Sequence, residues 1–187
     1  MKRIIAAALL IMVLLTACSA KKTTFDESSA ISYVGAGELT VISALVKSNG
    51  FFVEEVFTAG TLPYDANSKT ETENGTFAPV TSELFKTYSD FEKKIRSTYT
   101  EEASEAILAK DKYAEIDGKL YFNLAYENET TEKYMLDWSE AEVEASINDY
   151  GLYEITAKVK GTAGITKKVS LLAANENGNI RLMEIYS

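Results

Sequence analysis

Tyr153-Glu-Ile-Thr-Ala-Lys-Val-Lys160 decides the fold, because its apolar and polar residues alternate without interruption. A period of two predicts a β-strand with one buried face and one solvated face. Ala141–Ile147 alternates in the same way before it, and Ile165–Ala174 follows as another apolar-rich segment. Polar turns at 148–151 and 161–164 join the three segments. We therefore predict an antiparallel meander in the C-terminal part of the chain.

Two further turn signals extend this set of strands in both directions. Asp117-Gly118 separates Tyr113–Ile116 from Lys119–Leu124, and an Asp-Gly pair suits the type I′ turn of a β-hairpin. Asn175–Gly178 makes the last turn, and Ile180–Tyr186 is expected to close the sheet as its final strand.

Helical patterns precede the strands. Apolar residues recur at helical spacing over 31–45, and Asn49-Gly50 is expected to end this first helix. Phe51–Phe57 is predicted as an aromatic-rich strand. Ser89–Glu92 has the form of a capping box that begins a second helix, and Thr100 is a candidate N-cap for a third.

The order of these elements predicts an α+β fold. It has an N-terminal helix, two further helices and then an antiparallel meander sheet with helices on one face. Residues 30–187 are expected to form this single domain, which is long enough to bury a core. Residues 58–81 lack periodicity and contain Pro63, with Pro79 near their end, so we predict a long connection that is mobile rather than functional.

The first residues of the chain carry an export pattern. Two cations precede an apolar run, Ile4–Leu15, which is too short to span a bilayer core as a stable helix. The run ends in Leu15-Thr-Ala-Cys18, which resembles the bacterial lipobox, whose cysteine becomes the diacylated first residue of the mature protein. We expect residues 1–17 to be a signal peptide and residues 18–29 to be the lipidated cysteine and a tether. The alternative is an ordinary cleavable signal with a chance cysteine.

Composition excludes several classes of function. The 187 residues contain no histidine and one cysteine, which removes Ser-His and Cys-His pairs and zinc sites that need those residues. Dinucleotide and P-loop motifs are absent as well. The formal charge of −9 argues against nucleic acid as a partner. Carboxylates are plentiful, but they lie as neighbours on solvated faces, so we expect a protein that is not an enzyme and has no cofactor or metal.

Several stretches together resemble one bacterial family, the IseA-like inhibitors of DL-endopeptidases. They are Phe77-Ala-Pro-Val80, Ser82-Glu-Leu-Phe85, the run from Ser89 to Ala103, Asp117-Gly-Lys-Leu-Tyr121 and Leu136-Asp-Trp-Ser139. The resemblance covers roughly residues 50–187 and implies a protein that blocks a cell-wall autolysin by placing a loop in its active-site cleft.

The corresponding loop here is Tyr126–Tyr134. Its acidic side chains Glu127, Glu129 and Glu132 are the contacts that the resemblance implies, facing a cysteine endopeptidase whose nucleophile is paired with histidine. The membrane, through the lipid anchor, and a cell-wall cysteine endopeptidase are thus the expected partners. The alternative is that this loop is a solvated connector.

A second resemblance rests on the ending Asn177-Gly-Asn-Ile180, which is similar to nuclear-transport-factor-like (cystatin-like) lipoproteins. It implies a concave sheet face lined by Tyr153, Trp138 or Phe122 that holds a small ligand. That function predicts an enclosed apolar pocket of a few hundred Å³. A third alternative is an assembly lipoprotein with no defined site.

Overall fold

The C-terminal segments form the strands that the sequence predicts, and their residues alternate between buried and exposed. The structure is a computed structural model that describes residues 33–127, 136–161 and 164–186. The helices within these ranges are α1 (Ala36–Phe51), α2 (Tyr88–Thr98) and α3 (Glu101–Leu108). The strands are β1 (Thr70–Thr72), β2 (Gly75–Pro79), β3 (Tyr113–Ile116), β4 (Lys119–Asn123), β5 (Leu136–Ile147), β6 (Tyr153–Gly161), β7 (Thr166–Glu176) and β8 (Asn179–Leu182).

The C-terminal sheet is an antiparallel meander in the order β5-β6-β7-β8. Tyr153, Ile155, Ala157 and Val159 are all buried on its inner face, as the alternation predicts. The outer face is polar, and it carries the exposed ion pair between Lys158 and Glu144. The α+β class with three helices and an antiparallel meander is confirmed.

A second antiparallel sheet, in the order β1-β2-β4-β3, lies in the preceding half of the chain. The hairpin β3–β4 turns at Asp117 and Gly118, with φ angles of 52° and 76° that fit the predicted type I′ turn. The connection predicted over 58–81 instead contains β1 and β2. Its periodicity is hidden because β1 is only three residues long and largely exposed, while β2 buries two consecutive residues, Phe77 and Ala78.

Helix α1 continues past its predicted end. Asn49 and Gly50 lie within it, and the chain goes on as a π-helical segment, Phe52–Phe57, so the predicted strand there is wrong. The aromatic content of this segment reflects burial in the core rather than strand pairing. Lys112 donates from Nζ to the carbonyls of Phe57 (2.9 Å) and Gly60 (3.0 Å), which satisfies acceptors at the end of the helical run.

Caps define the other two helices. Helix α2 begins after Thr87, whose Oγ1 accepts from the Asp90 amide while the Asp90 carboxylate accepts from the Thr87 amide, both at 3.1 Å. This capping box lies two residues before the predicted one at Ser89. Thr100 caps α3 as expected, accepting from the amide of Ala103.

Helix α1 covers the inner face of the C-terminal sheet at a very close approach. A Cβ atom added to Gly50 would lie 2.1 Å from Cγ of Trp138 on β5, so the indole occupies the space that any other residue would need. The indole Nε1 donates to Oε1 of Glu54 at 3.4 Å, and its ring packs against Tyr186 at 6.0 Å. A continuous core links α1, the helices α2 and α3 and both sheets.

Replacing Gly50 with alanine should destabilise the fold. Alanine favours a helix by about 1 kcal/mol, but overpacking against a fixed ring costs about 1–3 kcal/mol. The clash involves the root of the indole rather than a flexible tip, so we expect a net loss of about 2 kcal/mol in the free energy of unfolding.

Gly37→Ala is the matched control, because a Cβ there meets nothing within 4 Å in the same helix. It should stabilise the protein by about 0.5–1 kcal/mol. Chemical denaturation followed by the fluorescence of Trp138, the one tryptophan of the sequence, measures both variants. Equal stability for G50A and wild type would contradict the close packing.

Candidate functional site

The root of the acidic loop is fixed to the first sheet. After β4 the chain makes a 3₁₀ turn, Leu124–Tyr126, in which the Asn123 side chain accepts from the Ala125 amide at 3.0 Å. The side-chain Nδ2 of Asn123 also donates to the carbonyl of Asp111 at 3.1 Å, and the Tyr126 hydroxyl donates to the Asp111 carboxylate. The turn is thereby attached to the segment that precedes β3.

Glu127 stands at the end of this turn and is exposed. Its Oε1 accepts a 2.8 Å hydrogen bond from the hydroxyl of Tyr64, a residue 63 positions earlier in the chain. The bond to this carboxylate raises the pKa of Tyr64 above its ordinary value, with burial and the charge of Glu127 adding to the shift. Of the predicted contact residues, Glu129 and Glu132 lie outside the described residues, as do Cys18 and the segments 1–17 and 18–29.

The concave ligand face expected of a nuclear-transport-factor-like protein is filled by the chain itself. Tyr153, Trp138 and Phe122 are all core residues, at most 4% exposed. The Tyr153 hydroxyl donates to Glu38 on α1 at 2.5 Å, and the indole of Trp138 is packed on Gly50 of the same helix. Helix α1 covers Tyr153 and Trp138, whereas Phe122 packs against Tyr64 and Tyr113 with ring centroids 4.8 and 5.7 Å away, so the prediction of a pocket lined by these three residues is wrong.

Two buried polar side chains hold α1 against its neighbours. Asn49 is fully buried, and its Oδ1 accepts from the Tyr99 hydroxyl (3.1 Å) and from the Tyr186 amide (3.2 Å). Burial raises the pKa of the Tyr99 hydroxyl far above its ordinary range, so this donor keeps its proton. Glu54 similarly accepts from the Trp138 indole. These hydrogen bonds join elements of the core, while the second polar atom of each side chain, Asn49 Nδ2 and Glu54 Oε2, has no partner among the described residues.

The sequence analysis missed a groove between α1 and α2. It has a volume of about 580 Å³, a floor of aromatic and aliphatic side chains and a rim with three lysines. The lining residues are Lys47, Ser48, Phe51, Leu84, Phe85, Asp90, Lys93, Lys94 and Ser97. Its two walls come from segments more than thirty positions apart, so no local motif marks it. In the structure, the groove is marked by the exposed side chain of Leu84 beside its lysines.

Carboxylates do not assemble into a recognisable centre. Across residues 33–127, 136–161 and 164–186, no three acidic side chains come together in a way that could hold a metal ion. The glutamates of β5 point outward along its solvated face, where Glu142 and Glu144 pair with Lys158.

No protein-family model matches this chain, and no curated protein matches it. None of the helices in the described ranges combines the length and the apolar character needed to cross a bilayer. Function is therefore inferred from the chemistry of the surface, beginning with the fixed root of the acidic loop.

Removing Glu127 should lower the pKa of Tyr64 toward its ordinary value of 10.0, because the hydrogen bond to the carboxylate is the largest cause of its elevation. The raised pKa means that the Tyr64–Glu127 contact stabilises the folded state below pH 10 and loses that effect as the pH rises through the folded pKa. NMR titration of ¹³Cζ-labelled tyrosine in Glu127→Ala measures the shift.

Glu83→Ala serves as the control, since it removes an exposed carboxylate elsewhere on the surface. It should leave the Tyr64 titration unchanged. A Tyr64 pKa that is the same in Glu127→Ala and wild type would show that the loop root is not held as described.

Proposed function

We propose that this chain is an extracytoplasmic lipoprotein that inhibits a cell-wall DL-endopeptidase of the cysteine class without catalysing a reaction itself. The acidic loop Tyr126–Tyr134, which contains Glu127, is the inhibitory element. The single observation that carries the proposal is the 2.8 Å hydrogen bond between Tyr64 and Glu127, which fixes an exposed carboxylate at the base of this loop.

A fixed loop base favours inhibition, because ordering a loop on binding costs conformational entropy. Two attachments at the root reduce that cost before the partner arrives: Tyr64 holds Glu127, and Asp111 holds Tyr126. Inhibitors that bind enzyme clefts generally present a preorganised backbone that moves little on complex formation.

The charge of the loop suits the expected enzyme. A cysteine nucleophile activated by histidine exists as a thiolate beside an imidazolium, and a carboxylate that approaches the imidazolium is attracted to it. Glu127, Glu129 and Glu132 supply three carboxylates within six residues.

The lipobox-like sequence supports attachment to a membrane. Acylation at Cys18 stabilises membrane binding by about 0.8 kcal/mol for each methylene buried, so a chain with two or more acyl groups stays on its membrane. The absence of histidine and the use of the lone cysteine for lipid support a role in occupying another protein's surface.

Simultaneous Glu127→Ala, Glu129→Ala and Glu132→Ala substitutions should weaken inhibition of peptidoglycan hydrolysis by about tenfold or more, since each lost charge contact contributes a fraction of a kcal/mol to about 1 kcal/mol. The melting temperature should change by no more than about 2 °C, because Glu127 is exposed and its hydrogen bond to Tyr64 contributes little to the free energy of unfolding. The assay uses the full chain in detergent with each DL-endopeptidase of the same bacterium.

A triple variant with Glu73→Ala, Glu83→Ala and Glu140→Ala is the matched control. It changes the net charge equally at three exposed positions away from the loop, and it should inhibit like wild type. Failure of the wild-type protein to slow any of the enzymes at micromolar concentration would end the proposal. Equal inhibition by the two triple variants would show that the contact with the enzyme lies on another surface of the protein.

A further inference from the structure

The groove between α1 and α2 combines an apolar floor with a basic rim. Phe51 is half-buried on its floor and contacts the buried Phe85, with ring centroids 6.1 Å apart. Leu84 stands 68% exposed at its edge, which is unusual for a leucine that packs near two aromatic rings. A concave apolar surface of this kind is a typical place for a partner's side chain.

The rim is positive although the protein as a whole carries a formal charge of −9. Lys47, Lys93 and Lys94 border the groove, against one carboxylate, Asp90. That carboxylate already accepts a hydrogen bond from the Thr87 amide in the cap of α2. The lining of the groove therefore carries three cationic side chains and one anionic side chain.

The ammonium groups of the rim are available to a partner. Within the part of the chain that the structure describes, Lys47 and Lys93 form no ion pair, and Lys94 donates only to the Ser48 hydroxyl at 3.1 Å. By contrast, Arg96 on the same helix is paired with Glu92 at 2.9 Å. Lys47 and Lys93 thus border the floor with charges that no carboxylate of the described residues neutralises in an ion pair.

The shape of the groove distinguishes between the ligands that could bind to this apolar floor and basic rim. An acyl chain needs an enclosed tunnel that buries most of its surface, whereas this groove is open. A lipid headgroup surface is approached by a convex patch, whereas the floor here is concave. An acidic peptide segment with a bulky apolar side chain satisfies the charge, the floor and the open shape together.

We propose that the α1–α2 groove is a docking site for an acidic peptide segment of a partner protein, whose apolar side chain contacts Phe51 and Leu84 while its carboxylates meet Lys47 and Lys93. The site shares no residue with the acidic loop, so it stands independently of the inhibitor proposal.

Fluorescence anisotropy with the full chain in nonionic detergent tests the site. The probe is a fluorescein-labelled twelve-residue peptide of alternating glutamate and leucine, and a second probe has every glutamate replaced by glutamine. The glutamate peptide should bind, and its affinity should fall as salt is raised. The glutamine peptide should bind about tenfold more weakly or not at all.

The Lys47→Glu, Lys93→Glu double variant should bind the glutamate peptide about tenfold more weakly, and Leu84→Ser should weaken it by a few fold. All three positions are exposed, so folding should be preserved. The matched control, Lys69→Glu with Lys119→Glu, makes the same change in net charge at two exposed lysines outside the groove, one just before β1 and one on β4, and should bind like wild type.

Absence of peptide binding at millimolar concentration would overturn the proposal, and so would an equal loss in both double variants, which would indicate only a general charge effect. Vesicles of phosphatidylglycerol provide the membrane alternative. If charge reversal at Lys47 and Lys93 changes association with these vesicles but leaves peptide binding unchanged, the groove faces lipid and the peptide site is excluded.

Discussion

The contact between Gly50 and the Trp138 indole is the constraint on which the rest of the structure depends. It lets α1 lie directly on β5, since no side chain larger than hydrogen fits between them. This position brings Asn49 to Tyr99 and Glu54 of the π-helical segment to Trp138, so Oδ1 of Asn49 and Oε1 of Glu54 accept hydrogen bonds from neighbouring elements. Nδ2 of Asn49 and Oε2 of Glu54 have no partner within the described residues. The π-helical continuation keeps Phe52 and Val56 in the same core instead of releasing the chain as a strand.

Tyr153 and Trp138 are covered by α1 on the inner face of the C-terminal sheet, and Phe122 of the first sheet is buried against Tyr64 and Tyr113. All three side chains are thus part of the packed core. What remains for function is the surface. There the chain presents two chemically opposite features. One is the exposed Glu127 carboxylate held by Tyr64, and the other is an open groove bordered by three lysines, of which Lys47 and Lys93 form no ion pair within the described residues. Neither requires a reactive group, which suits a sequence without histidine.

Local patterns predicted the parts of the fold that depend on local chemistry. The alternation over 153–160 correctly predicts which residues of β6 are buried, and Asp117-Gly118 correctly predicts the hairpin turn. Both features depend on neighbouring residues alone. Phe51–Phe57 was mistaken for a strand because aromatic residues suit any buried position. The hydrogen bond between Tyr64 and Glu127 joins residues 63 positions apart, and Ser48 and Lys94 of the groove are about 46 positions apart. Only the assembled fold reveals contacts over such separations. Of the three predicted contact residues, only Glu127 lies within the described residues.

Hydrogen exchange at the indole of Trp138 tests the closed packing of α1 on the sheet most directly. With one tryptophan in the sequence, its Nε1–H gives a single resonance, and its donor role toward Glu54 beneath α1 predicts exchange only through global unfolding. The free energy from its exchange should equal that of the most protected amides in β6 and β7. Rapid exchange of the indole while those amides stay protected would show that the helix opens from the sheet, and would contradict this account.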